Sequence, residues 1–169
     1  MDLILIAGLG MASVLDWRFR KVPNGLTLPL ILTGIVFRSV REGIPGLGES
    51  LLGFTVGIAL LYLPFLLGGI GGGDVKLMGA IGAFVGPVAA VKVFLIGALV
   101  GAVLSLFEIA RKKEWKSTLE NLRNRIVHVL LTNRWAPESE IRFSPRPLRV
   151  PYALALSAGY GWLYLFGGG

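Results

Sequence analysis

The chain has 169 residues, of which 54% are hydrophobic and only 16% charged, with a mean hydropathy of +0.71. A soluble domain carries about 25% charged residues, so this composition excludes an ordinary soluble enzyme and describes one membrane-embedded domain over residues 1–169. The net charge of +7 fits loop topology and contact with an anionic lipid surface, and no nucleic-acid partner is expected.

Six apolar segments predict an all-α bundle of six transmembrane helices, since a helix satisfies its own backbone hydrogen bonds in lipid. The first runs from Leu3 to Leu15 and is followed by "DWRFRKVPN". It lacks a basic n-region and a small-residue cleavage site, so it reads as a retained helix. The second spans Leu26 to Val40, before the polar turn "REGIPGLGES". The third, Leu51 to Leu67, runs into glycines. The fourth, Val75 to Val85, closes at Gly86-Pro87, and the fifth covers Val88 to Ile109. The fifth is near the roughly 20 residues of a full span, and the first and fourth are shorter. The polar ends of the short first and fourth segments are expected in a thinned or water-accessible region.

Residues 111–149 change character. "RKKEWKSTLENLRNRIVHVLL" sets Trp115, Leu119, Leu122, Ile126 and Val129 at helical spacing among basic residues. Two readings fit equally: an amphipathic helix on the anionic inner leaflet, or a small cytoplasmic helical insert. "TNRWAPESEIRFSPRPLR" is a loop with three prolines. The sixth segment, Val150 to Phe166, follows.

Basic loop residues set the orientation. With the N-terminus outside, the inner loops hold Arg18, Arg20, Lys21, Lys76 and the ten basic residues from Arg111 to Arg149, fourteen in all. The outer side holds only Arg38 and Arg41. The N-terminus is therefore expected outside the cytoplasmic membrane, with Asp16 and Asp74 at cytoplasmic helix ends.

An aspartate within a membrane costs about 2.5–3.5 kcal/mol on insertion scales, so each is a functional candidate. Asp16 ends the first segment and Asp74 opens the fourth. Two carboxylates held together cannot both ionise easily and titrate as a unit. Such a dyad can hydrolyse a peptide: the ionised member takes a proton from water, and the protonated member donates to the carbonyl oxygen and then to the leaving amine. The sequence leaves open which aspartate plays which part. It holds no cysteine and a single histidine, His128, so no metal and no cofactor is expected.

Other polar residues admit two readings each. Gly71, Gly72 and Gly73 can form a backbone floor for an extended substrate, or break the helix and let neighbours pack. Asp16 alone could instead pair with Arg18 or Arg20. Lys76 can tune Asp74 or snorkel to headgroups. Asn24 can cap the second helix or touch substrate. Glu108 suits an ion pair with Arg111 and Lys112, and Trp17, Trp115, Trp135 and Trp162 suit interface anchors.

The stretch "GGGDVKLMGAIGAFVGP", from Gly71 to Pro87, carries the GxGD signature of intramembrane aspartyl proteases. With "DWRFRKVPNGLTLP", which places Pro23 and Asn24 in a Val-Pro-Asn turn after Asp16, the chain resembles the type IV prepilin peptidases and their archaeal preflagellin-peptidase relatives. "VPYALALSAG" resembles the final helix of their minimal forms. The resemblance implies an aspartic endopeptidase that removes short basic leaders from prepilin or preflagellin substrates at the cytoplasmic face, with Asp16 and Asp74 catalytic. Larger members carry an N-terminal insertion with paired cysteines that bind zinc, and they also N-methylate the product. This sequence starts at the first helix and has no cysteine, so peptidase activity alone is expected.

Two other classes compete. A small ion- or proton-coupled transporter could use the same buried aspartates in glycine-broken helices, although no inverted repeat is visible. A catalytically silent assembly subunit would keep the fold and lose an aspartate. The substrate's identity, the host and the oligomeric state are not set by the sequence.

Overall fold

The computed structural model describes residues 2–19, 21–66, 70–112, 123 and 152–166. The amphipathic reading of residues 111–149, with Trp115, His128 and Trp135, and the expected Glu108 ion pair lie outside the residues and side chains described. Five helices are present among the described residues: α1 (Asp2–Phe19), α2 (Asn24–Leu66), α3 (Gly72–Val85), α4 (Pro87–Lys112) and α5 (Tyr152–Phe166). The all-α expectation holds, and the count of six separate helices does not. The second and third apolar segments belong to one 43-residue element, α2.

The break expected over "REGIPGLGES" is reduced to one non-helical residue, Gly43, with φ 68° and ψ −146°. That left-handed φ suits glycine, which has no Cβ to clash. Pro45 follows in the first turn of the second arm, where a helix needs no N–H. The chain then reverses. Val22, just before the first arm, faces Gly73 at the start of α3, and Gly34 faces Phe84 near its end, so this arm runs with α3. In the second arm Gly53 meets Gly82, Gly57 meets Met78 and Phe65 faces Gly72, so it runs against α3.

α3 is the central element. Ten of its 14 residues are buried, among them Leu77, Met78, Ala80 and Ile81. Its small residues let neighbouring backbones approach, the usual device for packing membrane helices. The Gly53 and Gly82 backbones touch, and Ser50 Oγ donates to the Ala83 carbonyl at 2.7 Å between the same elements. Fourteen residues rise only about 21 Å, short of the roughly 30 Å hydrocarbon core. α3 thus lies within protein: its N-terminus is level with Val22 and Phe65 at the ends of the two α2 arms, and its last turn stops beside Gly34, short of the Gly43 reversal.

α4 and α5 run antiparallel, with Gly101 facing Tyr152, Gly97 facing Leu156 and Gly159 against the Val93 carbonyl. α1 packs along α5 through a hydroxyl pair, Ser13 Oγ and Ser157 Oγ, 2.7 Å apart. The one proton that each hydroxyl carries goes either to the other hydroxyl or to the carbonyl four residues back in its own helix, Leu9 for Ser13 and Ala153 for Ser157. Such bonds leave no polar atom facing lipid.

The outer face is apolar. Leu3, Val40, Ile44, Leu63, Leu99 and Leu165 are each more than 60% exposed, far more bare hydrocarbon than a soluble monomer tolerates. Two helical stretches, Asn24–Leu66 and Pro87–Phe107, are long and apolar enough to cross a membrane, and most of each lies on the surface. These features describe a membrane helical protein.

At the α2 hairpin end, Arg38 is buried, and its Nη2 donates to Glu49 Oε2 at 2.6 Å and to Glu42 Oε2 at 3.1 Å. Both glutamates are largely exposed. This asymmetry predicts unequal costs. Replacing both glutamates by alanine leaves a buried guanidinium unpaired, which costs about 3 kcal/mol. Arg38→Met leaves only solvated carboxylates and is expected to cost less than half of that. Thermal unfolding in detergent measures the order, and equal losses would contradict it.

Candidate active site

One end of the bundle gathers the C-terminal turn of α1 and the N-termini of α2, α3 and α5. The order of contacts above dictates this, because α1 runs against α5 while α3 runs with the first arm of α2. Asp16 on α1 and Asp74 on α3, 58 positions apart in sequence, both come to this end and both are buried, with 6% and 8% exposure. Their carboxylates are close enough for the two charges to interact.

Backbone groups hold the Asp16 carboxylate and the start of the helix that carries Asp74. The Ala153 N–H, in the first turn of α5, donates to Asp16 Oδ2 at 3.1 Å. Helix starts leave such amides without intrahelical partners, and their positive end attracts a carboxylate. Gly71 is the N-cap of α3 with extended backbone, and its carbonyl accepts from Asp74 N–H at 3.0 Å. Asp74 Oδ1 is buried and has no hydrogen-bond partner among the described residues. A buried polar atom left so is costly, and it leaves an acceptor or an acid proton available to a third molecule.

The motif residues divide. Gly73 lies against the Val22 backbone, where a Cβ would fall 2.6 Å from the carbonyl oxygen. Its absent side chain lets the start of α3 approach the loop that follows Asp16. Gly72 faces the Phe65 ring, and Gly71 is exposed. Of the three glycines, only Gly71 therefore has the open surface a substrate floor requires. The Pro23 carbonyl accepts the first α2 amides, from Leu26 at 3.1 Å and Thr27 at 3.3 Å. Lys76 Nζ donates to Asn24 Oδ1 at 2.8 Å. Asn24 thus anchors a lysine, in place of the helix cap expected for it, and Lys76 ties α3 to α2 on an exposed rim. The Arg18 guanidinium lies 5.8 Å from the Phe19 ring centroid.

Sequence reasoning missed the contribution of α5. An amide donor has no side-chain signature, and the only available cue was Pro151 opening a short apolar segment that still holds Ser157. Two apolar grooves, of about 280 Å³ beside Lys92 and Trp162 and about 370 Å³ beside Leu32 and Phe37, adjoin neither acid. Among the described residues no group of three or more His, Cys, Asp or Glu is placed to share a metal ion.

The model of the type IV leader peptidase family matches residues 3–106, which contain both acids and the glycine motif. The chain belongs to the type IV leader peptidase family. The peptidase resemblance seen in the motifs is therefore confirmed. Relatives named prepilin leader peptidase/N-methyltransferase include one from Xanthomonas campestris pv. campestris, 33% identical over 69% of this chain and 42% of the relative. Another, from Burkholderia pseudomallei, is 36% identical over 60% of this chain and 35% of the relative. One from Escherichia coli is 33% identical over 53% of this chain and 42% of the relative. The matches span less than half of the length of these relatives. No solved structure matches. Ala153, whose N–H holds Asp16, lies outside the matched family region, as does Tyr152 beside it.

Proposed function

We propose that the chain is a membrane-embedded aspartic endopeptidase that removes the short basic leader of prepilin-like precursors, type IV pilins or archaeal flagellins. The observation that carries this reading is that two buried carboxylates, Asp16 and Asp74, lie at one end of an apolar bundle, within electrostatic reach of each other, in a chain of the leader peptidase family. One carboxylate, ionised, removes a proton from water as the water oxygen bonds to the scissile carbonyl carbon. The other, protonated, gives its proton to the carbonyl oxygen. On collapse one hydroxyl of the resulting diol returns its proton to the ionised aspartate as the C–N bond breaks, and the amine leaves with the proton held by the other, which restores the dyad.

The basic-residue count favours a location in the cytoplasmic membrane with the N-terminus outside and the acids toward the cytoplasm. A basic leader held by the anionic inner leaflet would arrive at that face. Asp74, buried at the start of α3, would meet the peptide bond where the substrate's polar leader gives way to its apolar helix.

The test uses the full chain in lipid with a recombinant prepilin, and mass spectrometry of the products. One cut is expected at the junction of basic leader and apolar segment, at an unchanged rate in EDTA. Absence of cleavage, or its loss with chelator and return with metal, would overturn the reading.

A further inference from the structure

We infer that the Tyr152 hydroxyl is a third functional group of this site, a hydrogen-bond donor to the substrate carbonyl oxygen as that oxygen gains negative charge. The inference rests on the peptidase reading and adds a residue to it.

Position is the first ground. Tyr152 opens α5 and immediately precedes Ala153, whose N–H holds Asp16. The bond that fixes Asp16 therefore also fixes the backbone from which Tyr152 springs. The ring is half-buried against α4, where a Cβ on Gly101 would lie 3.0 and 3.4 Å from two ring atoms. A side chain at Gly101 would displace the ring. Seated there, the phenol lies within electrostatic reach of the Asp74 carboxyl. One residue is thus bonded in sequence to the holder of the first acid and coupled in space to the second.

Availability is the second ground. Among the described residues the Tyr152 hydroxyl has no hydrogen-bond partner. A tyrosine packed into an apolar bundle ordinarily spends its O–H on a neighbour. Ser13, Ser157 and Ser50 of the same bundle all do so. Lys76, the other donor near Asp74 in sequence, is already committed to Asn24. Tyr152 is thus an uncommitted donor among the described residues at this end of the bundle.

The chemistry has a place for it. When water oxygen bonds to the scissile carbon, the carbonyl π pair moves onto the carbonyl oxygen. The protonated aspartate serves one lone pair of that oxygen, and a fixed phenolic O–H serves another. The tyrosine keeps its proton throughout, so the proton count of the dyad mechanism is unchanged. A preorganised donor aimed at developing charge acts mainly in the transition state and lowers the barrier more than it improves substrate binding.

Tyr152→Phe removes one oxygen and leaves the ring against Gly101. In single-turnover and steady-state cleavage of a recombinant prepilin by the full chain, kcat is expected to fall about 10- to 100-fold, with KM within twofold and the melting midpoint unchanged. A kcat within twofold of wild type, or a loss matched by a lower melting midpoint, would overturn the inference. Asp16→Asn and Asp74→Asn are run beside it. Full activity in those two would sink the peptidase dyad itself, whereas full activity in Tyr152→Phe alone removes only the tyrosine.

Discussion

Asp74→Asn is expected to lower the rate of prepilin cleavage by at least about 10³-fold, and Asp16→Asn by a comparable factor. General acid–base groups contribute roughly 10²–10⁴-fold each, and members of one catalytic unit fail together. Neither replacement should unfold the chain. Asparagine has nearly the volume of aspartate, and at position 16 its Oδ1 can still accept the Ala153 N–H. At position 74 the change adds a donor beside a buried acceptor and removes a charge from an apolar site. Equal protein level and an unchanged melting midpoint are therefore part of the expected result. Either variant keeping more than a tenth of the wild-type rate would contradict the dyad. Ion flux through liposomes that is lost in both variants, with cleavage intact, would favour transport in its place.

The largest structural effect is expected at Gly82. Its backbone touches that of Gly53, and a Cβ on either residue would fall on the carbonyl of the other. The obstructing atoms are backbone, so they cannot swing aside like the end of a flexible side chain. Gly82→Val must push α3 from the second arm of α2, which costs about 3 kcal/mol or more. α3 is the buried centre of the bundle and carries Asp74 at its start, so activity should fall with stability. Gly10 and Gly161 supply the control, since a Cβ there meets nothing within 4 Å. Alanine at those helical positions is expected to stabilise by about 0.5–1 kcal/mol. Thermal unfolding in detergent reads both signs, and a neutral Gly82→Val would show that the contact does not hold the helices together.

The acids were legible in the sequence because ionisable residues are scarce in an apolar chain and each demands a reason. The helical class was legible from the apolar segments for the same physical cause. The segment count was not. "REGIPGLGES" has the glycine and proline content of a loop, but helix continues on both sides of Gly43. One residue with positive φ is enough to reverse the chain, and the Arg38 ion pairs with Glu42 and Glu49 hold it reversed. The glycine run was legible as a unit and acts as three separate residues. Gly73 serves packing against Val22, Gly72 faces Phe65, and Gly71 is open. That division depends on which backbone arrives opposite each glycine, and no local pattern encodes it. Asn24 was read as a cap or a substrate contact, and Lys76 as a tuner of Asp74 or a snorkelling cation. They are partners across 52 positions, a pairing that only the parallel course of α3 and the first arm of α2 creates. The role of α5 was hidden for a related reason, since its contribution to Asp16 is a main-chain N–H.

The central claim is that Asp16 and Asp74 act as one catalytic unit on a prepilin leader. The most direct measurement is the single-turnover cleavage rate of the double variant Asp16→Asn/Asp74→Asn beside the two single variants, with the full chain in lipid. The account predicts that all three share the same residual rate, because removing either member already disables the pair. A double variant slower than both singles by a further tenfold or more would mean that the two carboxylates work independently, and would contradict the account.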